Sequence, residues 1–400
     1  MLDKYLVRSR LDFCERVFLV FFISLCYIFF MKIAVDTFAC DSGKSGFGSY
    51  LVNLTANLPA QDGVEYMLFG APLDRYTYSD EIPFREVRCG ESMNAKRWWH
   101  NFSSKGFYKK NKVDAVLYPA AARLLPGRFP VPGVAVLHDS LSMVLAKAKF
   151  AHRLTLKGFE RVQAIIVPTN FIKNDLLGLG FDGKKIHVVR HGIDHNLFYQ
   201  RPHDDQTVVN VKPFAIKRPY IIYPSSISGA GKKHIELIKA FEMFKKKTGA
   251  PHRLVIAGAE NEWGEQVRKA AFDSSCASDI FLTGFFPREG FPLLCSGADA
   301  CVFPSVQEGV GMPIVEAMAL GVPVAAANAG ALPEIAAGKA ILFDSDNLEE
   351  MSAAIEKVCD DKKARQKMIS DGLSWSKKFS WQECAASTIK LLKEVTERCY

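Results

Sequence analysis

Short apolar runs alternate with longer amphipathic stretches along most of this chain. In the first half the runs are Met31–Asp36, Val64–Phe69, Ala115–Tyr118, Val134–Leu137, Ala164–Pro168 and Ile186–Val189. Because these runs are almost uniformly apolar, they predict strands of a parallel sheet that is covered by helices on both faces. We therefore predict an N-terminal Rossmann-like α/β domain over residues 31–200.

A second set of the same kind predicts a C-terminal Rossmann-like domain over residues 220–380. Its runs are Tyr220–Pro224, Leu254–Gly258, Ile280–Thr283, Ala300–Phe303, Val322–Ala326 and Ala340–Phe343. The polar residues 201–219 between the two sets predict an interdomain linker, and residues 381–400 predict a C-terminal helix. In sheets of this kind ligands bind at the carboxyl ends of the strands, so we expect a ligand cleft between the two domains.

The first thirty residues contain an apolar run, Val17 to Met31, that only Ser24 interrupts. As a helix this run spans roughly 22 Å, which is short of the roughly 30 Å hydrocarbon core of a bilayer. No small-x-small cleavage site follows it, and the first predicted strand begins at once. Two hypotheses stay open: residues 1–30 are an artefact of an upstream start site, with translation beginning at Met31, or they form a short membrane anchor.

Charge and cysteine content narrow the class of protein. Lys and Arg number 51 against 43 Asp and Glu, a net charge of +8 that is too small and scattered to argue for nucleic acid. It is compatible with an anionic partner, such as a phosphosugar or an acidic membrane face. The ten cysteines include no C-x-x-C pair. They predict reduced, mostly buried thiols of a cytoplasmic protein, and neither a disulfide framework nor a zinc site.

The segment with the strongest chemical signal runs from Pro304 to Met318. Glu308 and Glu316 stand eight residues apart, and between them a glycine-bearing loop leads into a predicted helix. The loop residues expected to present backbone N–H groups to an anion are Gly309, Val310, Gly311 and Met312. Two carboxylates beside such amides can accept hydrogen bonds from hydroxyls. The arrangement predicts a site for a nucleotide sugar, the alternative being an ordinary capped helix with two surface acids.

Two first-domain motifs are weaker when taken alone. A glycine cluster that includes Gly46 and Gly48 follows the first strand, but such turns are often only structural. The pair His138-Asp139 ends the strand that begins near Val134 and is placed to reach a ligand in the cleft. The alternative for His138 is a side chain satisfied by local backbone.

A loop after the first strand of the second domain carries Ser226, Lys232 and Lys233. A cation here can neutralise the negative charge that develops on a leaving nucleoside diphosphate. The alternative for the two lysines is a pair of solvated surface charges.

A basic and aromatic stretch begins at Lys96, Arg97, Trp98 and Trp99 and continues to Lys112 without an acidic residue. This composition favours an acceptor-side surface for anionic lipid or polyprenyl-phosphate headgroups. A core-packed tryptophan pair with a solvated basic face and an RNA-binding patch are the alternatives.

The Pro304–Met318 segment resembles the E-x7-E signature of retaining glycosyltransferases of family four, the "group 1" and mannosyltransferase-like type, which have the GT-B fold. The flanks Gly297–Ser305 and Ala319–Val324 agree with it, and the resemblance extends from Met31 to about Leu392. It implies two facing Rossmann-like domains with a cleft between them, and a last helix that crosses back to the first domain.

The resemblance also implies roles for individual residues. The Gly46 and Gly48 loop would close over the donor diphosphate, and His138 would contact the transferred sugar. Relatives carry an arginine six positions before a lysine where this chain has Ser226 and Lys232. Three alternatives stay open: Lys233, Arg218 or a first-domain cation compensates, the enzyme is slow, or the chain is not an active transferase.

The sequence thus predicts a retaining, metal-independent hexosyltransferase that uses a GDP- or UDP-sugar and no cofactor. Glu308, His138 and Lys232 are the predicted catalytic residues, and the acceptor is a glycan or a lipid-linked glycan of a cell-surface polysaccharide. We expect a cytoplasmic protein peripheral to the inner face of an anionic membrane, with no nucleic-acid partner. Alternatives are a non-catalytic nucleotide-sugar binder, motivated by Ser226, and a sugar-nucleotide epimerase, which would lack the E-x7-E helix.

Overall fold

The computed structural model describes residues 30–60, 63–146, 152–201, 207–286 and 290–398. The hypotheses about residues 1–30 fall almost wholly outside these ranges. Within them, no helix is both long enough and apolar enough to cross a membrane.

The first unit is built on a parallel sheet with the strand order β3-β2-β1-β4-β5-β6-β7. Its strands are β1 (Met31–Asp36), β2 (Val64–Gly70), β3 (Phe84–Glu86), β4 (Ala115–Tyr118), β5 (Gly133–Val136), β6 (Ala164–Val167) and β7 (Ile186–Val188). The strand order reverses between β1 and β4, and a crevice opens at the carboxyl ends of strands at such a point. The edge strand β3 has no apolar run and is largely exposed, so the hydrophobic pattern did not indicate it.

Helices cover both faces of this first sheet. They are α1 (Gly46–Thr55), α2 (Met93–Trp98), α3 (Ser104–Asn111), α4 (Leu141–Ala146), α5 (His152–Arg161) and α6 (Asn170–Gly178), with a π-helical turn, Trp99–Ser103, between α2 and α3. Strands β4, β5 and β6 are buried at every position, as expected for a sheet with both faces covered.

The second unit has a parallel sheet with the order β12-β11-β10-β13-β14-β15. Its strands are β10 (Tyr220–Pro224), β11 (Arg253–Ala257), β12 (Ile280–Gly284), β13 (Ala300–Phe303), β14 (Val324–Ala327) and β15 (Ile341–Phe343). Its helices are α7 (His234–Thr248), α8 (Gly264–Asp273), α9 (Phe291–Ser296), α10 (Met312–Ala319), α11 (Leu332–Ala336), α12 (Leu348–Asp360) and α13 (Lys362–Ser376). The order reverses between β10 and β13, so this unit also opens a crevice. The predicted pair of Rossmann-like sheets is confirmed.

The segment expected to be a plain linker, residues 201–219, contains regular structure. Strands β8 (Val208–Val211) and β9 (Phe214–Lys217) form an antiparallel hairpin. Val209, Val211 and Ile216 are buried in the core of the second unit. Three buried side chains in a largely polar stretch were too weak a pattern to indicate the hairpin.

The last helix, α14 (Trp381–Glu397), returns to the first unit. Its residues Trp381, Ile389 and Leu392 are buried in the cluster that covers one face of the first sheet. The return is fixed just before the helix, where the amide of Ile193 donates to the carbonyl of Phe379 at 3.2 Å. Through this helix the second half of the chain contributes to the wall of the first unit.

Candidate nucleotide-sugar site

A cavity of about 500 Å³ lies between the two units. Its lining comes from the loops that follow β1, β4, β5 and β7 of the first sheet and β10 and β13 of the second. The side chains that line it include Phe47, Tyr50, Arg123, His138, Asp139, His191, Asp194, Ser226, Lys232, Glu308, Glu316 and Trp381. The crevices of the two sheets therefore form one shared cleft.

The floor on the second unit is the N-terminal end of α10. Gly311 has φ +76°, and a Cβ there would lie 2.5 Å from Cδ2 of Leu332, so glycine fits both the turn and the packing. The helix begins at Met312 with Pro313 in its first turn, and Gly321 follows its end with φ +74°. The first amides of a helix have no intrahelical partner, and here Val310, Gly311 and Met312 line the cavity. This end of the cleft suits an anion.

Glu308 and Lys232 form an ion pair inside the cleft. The exposed fractions of their side chains are 15% and 21%, so the pair is largely shielded from solvent. Both loops are held by the backbone: the Ala331 amide donates to the Glu308 carbonyl at 3.0 Å, and the Tyr223 hydroxyl donates to the Lys232 carbonyl at 2.8 Å. The two predicted catalytic groups are thus presented from fixed positions.

Glu316 is the fifth residue of α10, one turn beyond these amides, and its half-buried side chain lines the cleft. A helical residue at this position is directed back toward the N-terminal end of its helix. The carboxylate therefore faces the same space as the loop amides and Glu308.

His138 is buried and both of its ring nitrogens have protein partners. Nε2 lies 2.7 Å from the carbonyl oxygen of Pro119, and Nδ1 lies 3.2 Å from Nε2 of His191. A carbonyl oxygen only accepts, so Nε2 of His138 carries the proton, and Nδ1 then accepts from His191. Burial lowers the pKa of His138 to about 4 and also lowers the pKa of His191. The pair is therefore neutral at physiological pH.

An aromatic wall surrounds this histidine pair. The ring of His138 lies edge-on to Phe47 and Tyr50, with centroids 5.2 and 4.6 Å away, and His191 stacks on Trp381 at 5.9 Å. Trp381 is the first residue of α14. The return of the last helix thus completes the cleft.

The two glycines of the first-unit loop differ. Gly46 lines the cleft, and a Cβ added there would meet no atom within 4 Å. Gly48 does not line it: a Cβ would lie 2.5 Å from the Cys40 carbonyl oxygen and from Cα of Gly43. The structure thus explains Gly48 by the packing of the loop onto its own helix, and donor binding by this residue stays a prediction.

Gly309 is also explained by close packing. It lies beside the cleft at a contact between the units, where its carbonyl accepts a hydrogen bond of 3.0 Å from Thr169 Oγ1. A Cβ there would lie 2.4 Å from the His138 carbonyl oxygen. A glycine is needed here for the close approach of the two backbones, and donor binding by Gly309 stays a prediction.

Among the residues of the β10–α7 loop, Ser226 is exposed and lines the cleft. Lys233 does not, contrary to the prediction, because Asp346 holds its Nζ at 2.5 Å and Glu236 lies at 3.4 Å. Arg218 donates to the Gly297 carbonyl at 3.1 Å and lines a separate cavity. Neither residue occupies the space beside Ser226.

The basic aromatic stretch divides into two parts. Trp99 is only 8% exposed and packs on Phe38 and Phe69, so its assignment to the surface is wrong. Trp98 is 60% exposed and lies 5.6 Å from the ring of Phe102, which is also exposed. Composition alone did not show which aromatic residues of this helical stretch are buried and which are exposed.

A second, larger cavity of about 850 Å³ lies in the first unit at the carboxyl ends of β1, β2 and β3. Lys96, Arg97 and Arg123 line it, and Arg123 also lines the cleft. The two cavities thus meet at Arg123. Sequence reasoning missed Arg123, His191 and Trp381; His191 follows β7, so its position after a strand was a usable signal, whereas Arg123 and Trp381 had none.

Within the described residues, the seven cysteines, Cys40, Cys89, Cys276, Cys295, Cys301, Cys359 and Cys384, are free thiols and mostly buried. The same part of the chain contains no group of three or more His, Cys, Asp or Glu side chains arranged to hold a metal ion.

Two facing Rossmann-like units with a shared cleft and an acid-flanked helix N-terminus define the GT-B class of glycosyltransferases. Two family models match the chain: Glycosyltransferase Family 4 over residues 44–197 and Glycosyl transferases group 1 over residues 204–375. Together these matches cover most of the chain. It belongs to the family-four, group 1 glycosyltransferases.

Similar proteins give the same picture. The chain is 31% identical over 158 residues to O-antigen chain mannosyltransferase B of Escherichia coli, which is 39% of this chain and 41% of that protein. It is 27% identical over 255 residues to alpha-maltose-1-phosphate synthase of Mycolicibacterium smegmatis, 59% of this chain and 64% of that protein. The matches thus span less than two thirds of these two relatives.

Among solved structures, Anabaena HepE in complex with UDP and glucose superposes with a TM-score of 0.73 at 19% identity. The superposition covers 91% of this chain and all of that one. At this identity the likeness supports the fold.

Proposed function

We propose that this protein is a retaining, metal-independent hexosyltransferase that transfers mannose or glucose from a GDP- or UDP-sugar to a glycan or lipid-linked glycan of the cell surface. The observation that carries the proposal is the meeting of Glu308, Lys232, Glu316 and the α10 amides in one cleft. Loop amides and a lysine can take the diphosphate charge without a metal ion.

In the proposed reaction, the bond between the sugar C1 and the β-phosphate oxygen breaks, and its electron pair stays on the diphosphate. The acceptor oxygen forms the new bond at C1 on the same face, and its proton passes to the departing diphosphate oxygen. Lys232 and the helix N-terminus stabilise the charge that grows on the diphosphate. Glu308 holds the transferred sugar and stabilises the positive charge that develops at C1, while Glu316 accepts hydrogen bonds from the ribose hydroxyls.

The ion pair between Glu308 and Lys232 has a consequence for this mechanism. In the free protein each group satisfies the other, as two largely buried charges must. A donor diphosphate can replace Glu308 as the partner of Lys232, which leaves the carboxylate available to the sugar. Donor binding thus pairs Lys232 with the diphosphate and frees Glu308 for the sugar.

His138 takes a positioning role in this proposal. With both ring nitrogens held by Pro119 and His191, the imidazole serves as a rigid, neutral wall beside the sugar. We assign it to shaping the sugar face and not to proton transfer.

The acceptor is proposed to bind in the first-unit cavity, which opens onto the cleft at Arg123. The neighbouring groove is lined by Trp98, Phe102, Arg128, Lys157 and Arg161. Cations around exposed aromatic rings fit an anionic membrane face or a lipid-linked phosphate. This surface supports the proposal that the protein works at the inner face of the cytoplasmic membrane.

The names of the relatives support mannose as a donor sugar, since E. coli O-antigen chain mannosyltransferase B is 31% identical over the matched region. Anabaena HepE was crystallised with UDP and glucose, which keeps UDP-glucose as a candidate. Incubation of purified protein with GDP-mannose and with UDP-glucose, with release of GDP or UDP as the readout, tests the proposal. If a nucleotide binds and no sugar donor is consumed with any acceptor fraction, the non-catalytic alternative, which Ser226 favours, replaces it.

A further inference from the structure

The cleft has few positive charges for a site that must bind a diphosphate. Among its described lining residues the cations are Arg123 and Lys232, whereas the acids are Asp139, Asp194, Glu308 and Glu316. Lys232 is already paired with Glu308. A second cation would therefore add to the charge that Lys232 and the loop amides can neutralise on the two phosphates.

The second unit does not supply that cation at the expected place. Ser226 lines the cleft with a short, uncharged side chain. Lys233 is held by Asp346 and Glu236, and Arg218 lies at a separate cavity.

Arg123 of the first unit has the geometry that the role requires. Its guanidinium lies 4.6 Å from the centroid of the Phe47 ring, and Phe47, the second residue of α1, itself lines the cleft. This cation–π contact holds the guanidinium beside the cleft. A guanidinium presents paired donors that match two phosphate oxygens better than a lysine can.

The present partner of Arg123 is one that a phosphate can displace. Arg123 is ion-paired with Asp41, and the exposed fractions of the two side chains are 41% and 43%. Ion pairs that are this exposed contribute little to stability, so a ligand can displace them readily. Asp41 has φ +51°, a left-handed conformation that an asparagine tolerates as well.

We propose that Arg123 of the first unit is the second diphosphate-binding cation of this protein, in place of the cation that Ser226 does not provide. This inference rests on the proposed function, because it assigns a ligand of the same site. When the sugar C1–O bond breaks and its electron pair passes to the β-phosphate, Arg123 and Lys232 share the added charge from opposite units. Donor binding then draws the two units together.

The test measures the affinity of UDP, GDP, uridine and guanosine for the full chain by calorimetry, in wild type and in Arg123→Gln. We expect Arg123→Gln to weaken the better-bound nucleoside diphosphate about tenfold and to leave its nucleoside unchanged. Lys44→Gln is the matched control, since Lys44 is an exposed cation on the loop that also carries Asp41, and it does not line the cleft. An equal loss in Lys44→Gln, or an equal loss for the nucleoside, would overturn the proposal.

Asp41→Asn, which retains Arg123, keeps the inference testable if Arg123→Gln folds poorly, and a double variant adds a rescue test where Arg123→Gln folds. Asp41→Asn removes the competing carboxylate and is expected to raise diphosphate affinity by severalfold. Ser226→Arg in the Arg123→Gln chain is expected to restore most of the lost affinity, because it again places a cation beside the negative charge of the diphosphate. Unchanged affinity in Asp41→Asn together with no recovery in the double variant contradicts the proposal.

The outcomes separate this inference from the proposed function. If wild type binds neither UDP nor GDP, both are wrong. If wild type binds and consumes a sugar donor while Arg123→Gln keeps full diphosphate affinity and only the acceptor KM rises, the proposed function stands. In that case Arg123 belongs to the acceptor cavity, and the inference fails alone.

Discussion

The two sides of the cleft are built in different ways. On the second unit Glu308, Lys232 and the start of α10 are fixed by backbone hydrogen bonds and by a tightly packed glycine, Gly311. On the first unit the loop after β1 passes through left-handed conformations at Ala39, Asp41 and Ser42, and its ion pair with Arg123 is half exposed. The difference indicates a rigid side for the donor chemistry and an adjustable side that responds to the ligand.

The two sides should also differ in which property, rate or affinity, a substitution changes. In the proposed mechanism the fixed carboxylate of Glu308 acts on the transition state, so its removal should affect the rate. A half-exposed arginine on a loop acts on binding, so its removal affects affinity. The predictions below test this division, beginning with the largest effect.

Glu308→Gln should lower turnover on the order of 100-fold, since it removes a preorganised charge at the reacting centre. Nucleoside diphosphate affinity should stay within a few-fold of wild type, because the amide keeps the shape of the side chain. Steady-state kinetics and calorimetry on the same preparation separate the two quantities. Glu262→Gln, at an exposed position away from the cleft lining, serves as the control. Equal turnover in Glu308→Gln and wild type would refute the fixed-side role.

Glu316→Ala should weaken nucleotide binding by about 1.5–3 kcal/mol, the range for charge-assisted hydrogen bonds. The ribose is shared by nucleoside and nucleoside diphosphate, so both ligands should lose affinity equally in a calorimetric titration. A loss confined to the diphosphate would show that Glu316 does not bind the ribose.

Gly48→Ala and Gly46→Ala probe the adjustable side itself. A Cβ at Gly48 would lie 2.5 Å from backbone atoms, so we expect a loss of about 1–3 kcal/mol in the free energy of unfolding. Gly46→Ala should leave stability nearly unchanged, because the space at that position is open, yet it places a methyl group in the cleft. Urea unfolding and nucleotide titration of the two variants check both statements. Comparable destabilisation by the two substitutions would contradict the packing seen here.

The buried histidines give a pH dependence with a definite sign. The pKa of His138 is lowered from the ordinary 6.5 to about 4 by burial, and the pKa of His234 is also lowered to about 4. Between these limits the unfolded chain binds protons that the folded chain excludes. The free energy of unfolding should therefore fall as pH drops from 6.5 towards 4, by up to roughly 1.4 kcal/mol per pH unit for each group. Urea unfolding across this range measures the slope, and a flat profile would contradict neutral buried imidazoles.

The same contrast explains what the sequence could show. Strands β4, β10 and β13 and the Glu308–Glu316 segment were visible because each depends on a local pattern: an apolar run, or a loop entering a helix. The edge strand β3 and the hairpin β8–β9 lack such a run and were missed.

On the adjustable side, local patterns were misleading. Gly46 and Gly48 look alike in sequence, but only the packed helix shows that Gly48 has no room for a Cβ whereas Gly46 has. Trp98 and Trp99 are neighbours in sequence, but Trp98 is exposed and Trp99 is buried. Arg123 and Trp381 reach the cleft by tertiary packing of elements far apart in the chain, and no local spacing indicates that, whereas His138 and His191 each follow a strand.

The most direct test of the central claim follows the anomeric proton of GDP-mannose and of UDP-glucose by NMR, while the purified chain acts on each with an acceptor glycan. We predict consumption of one donor, release of its nucleoside diphosphate, and a transferred sugar with the anomeric configuration of the donor. A nucleotide that binds in the cleft while both donors stay intact would contradict a glycosyl-transferring site, and an inverted product would contradict the roles given to Glu308 and the same-face mechanism.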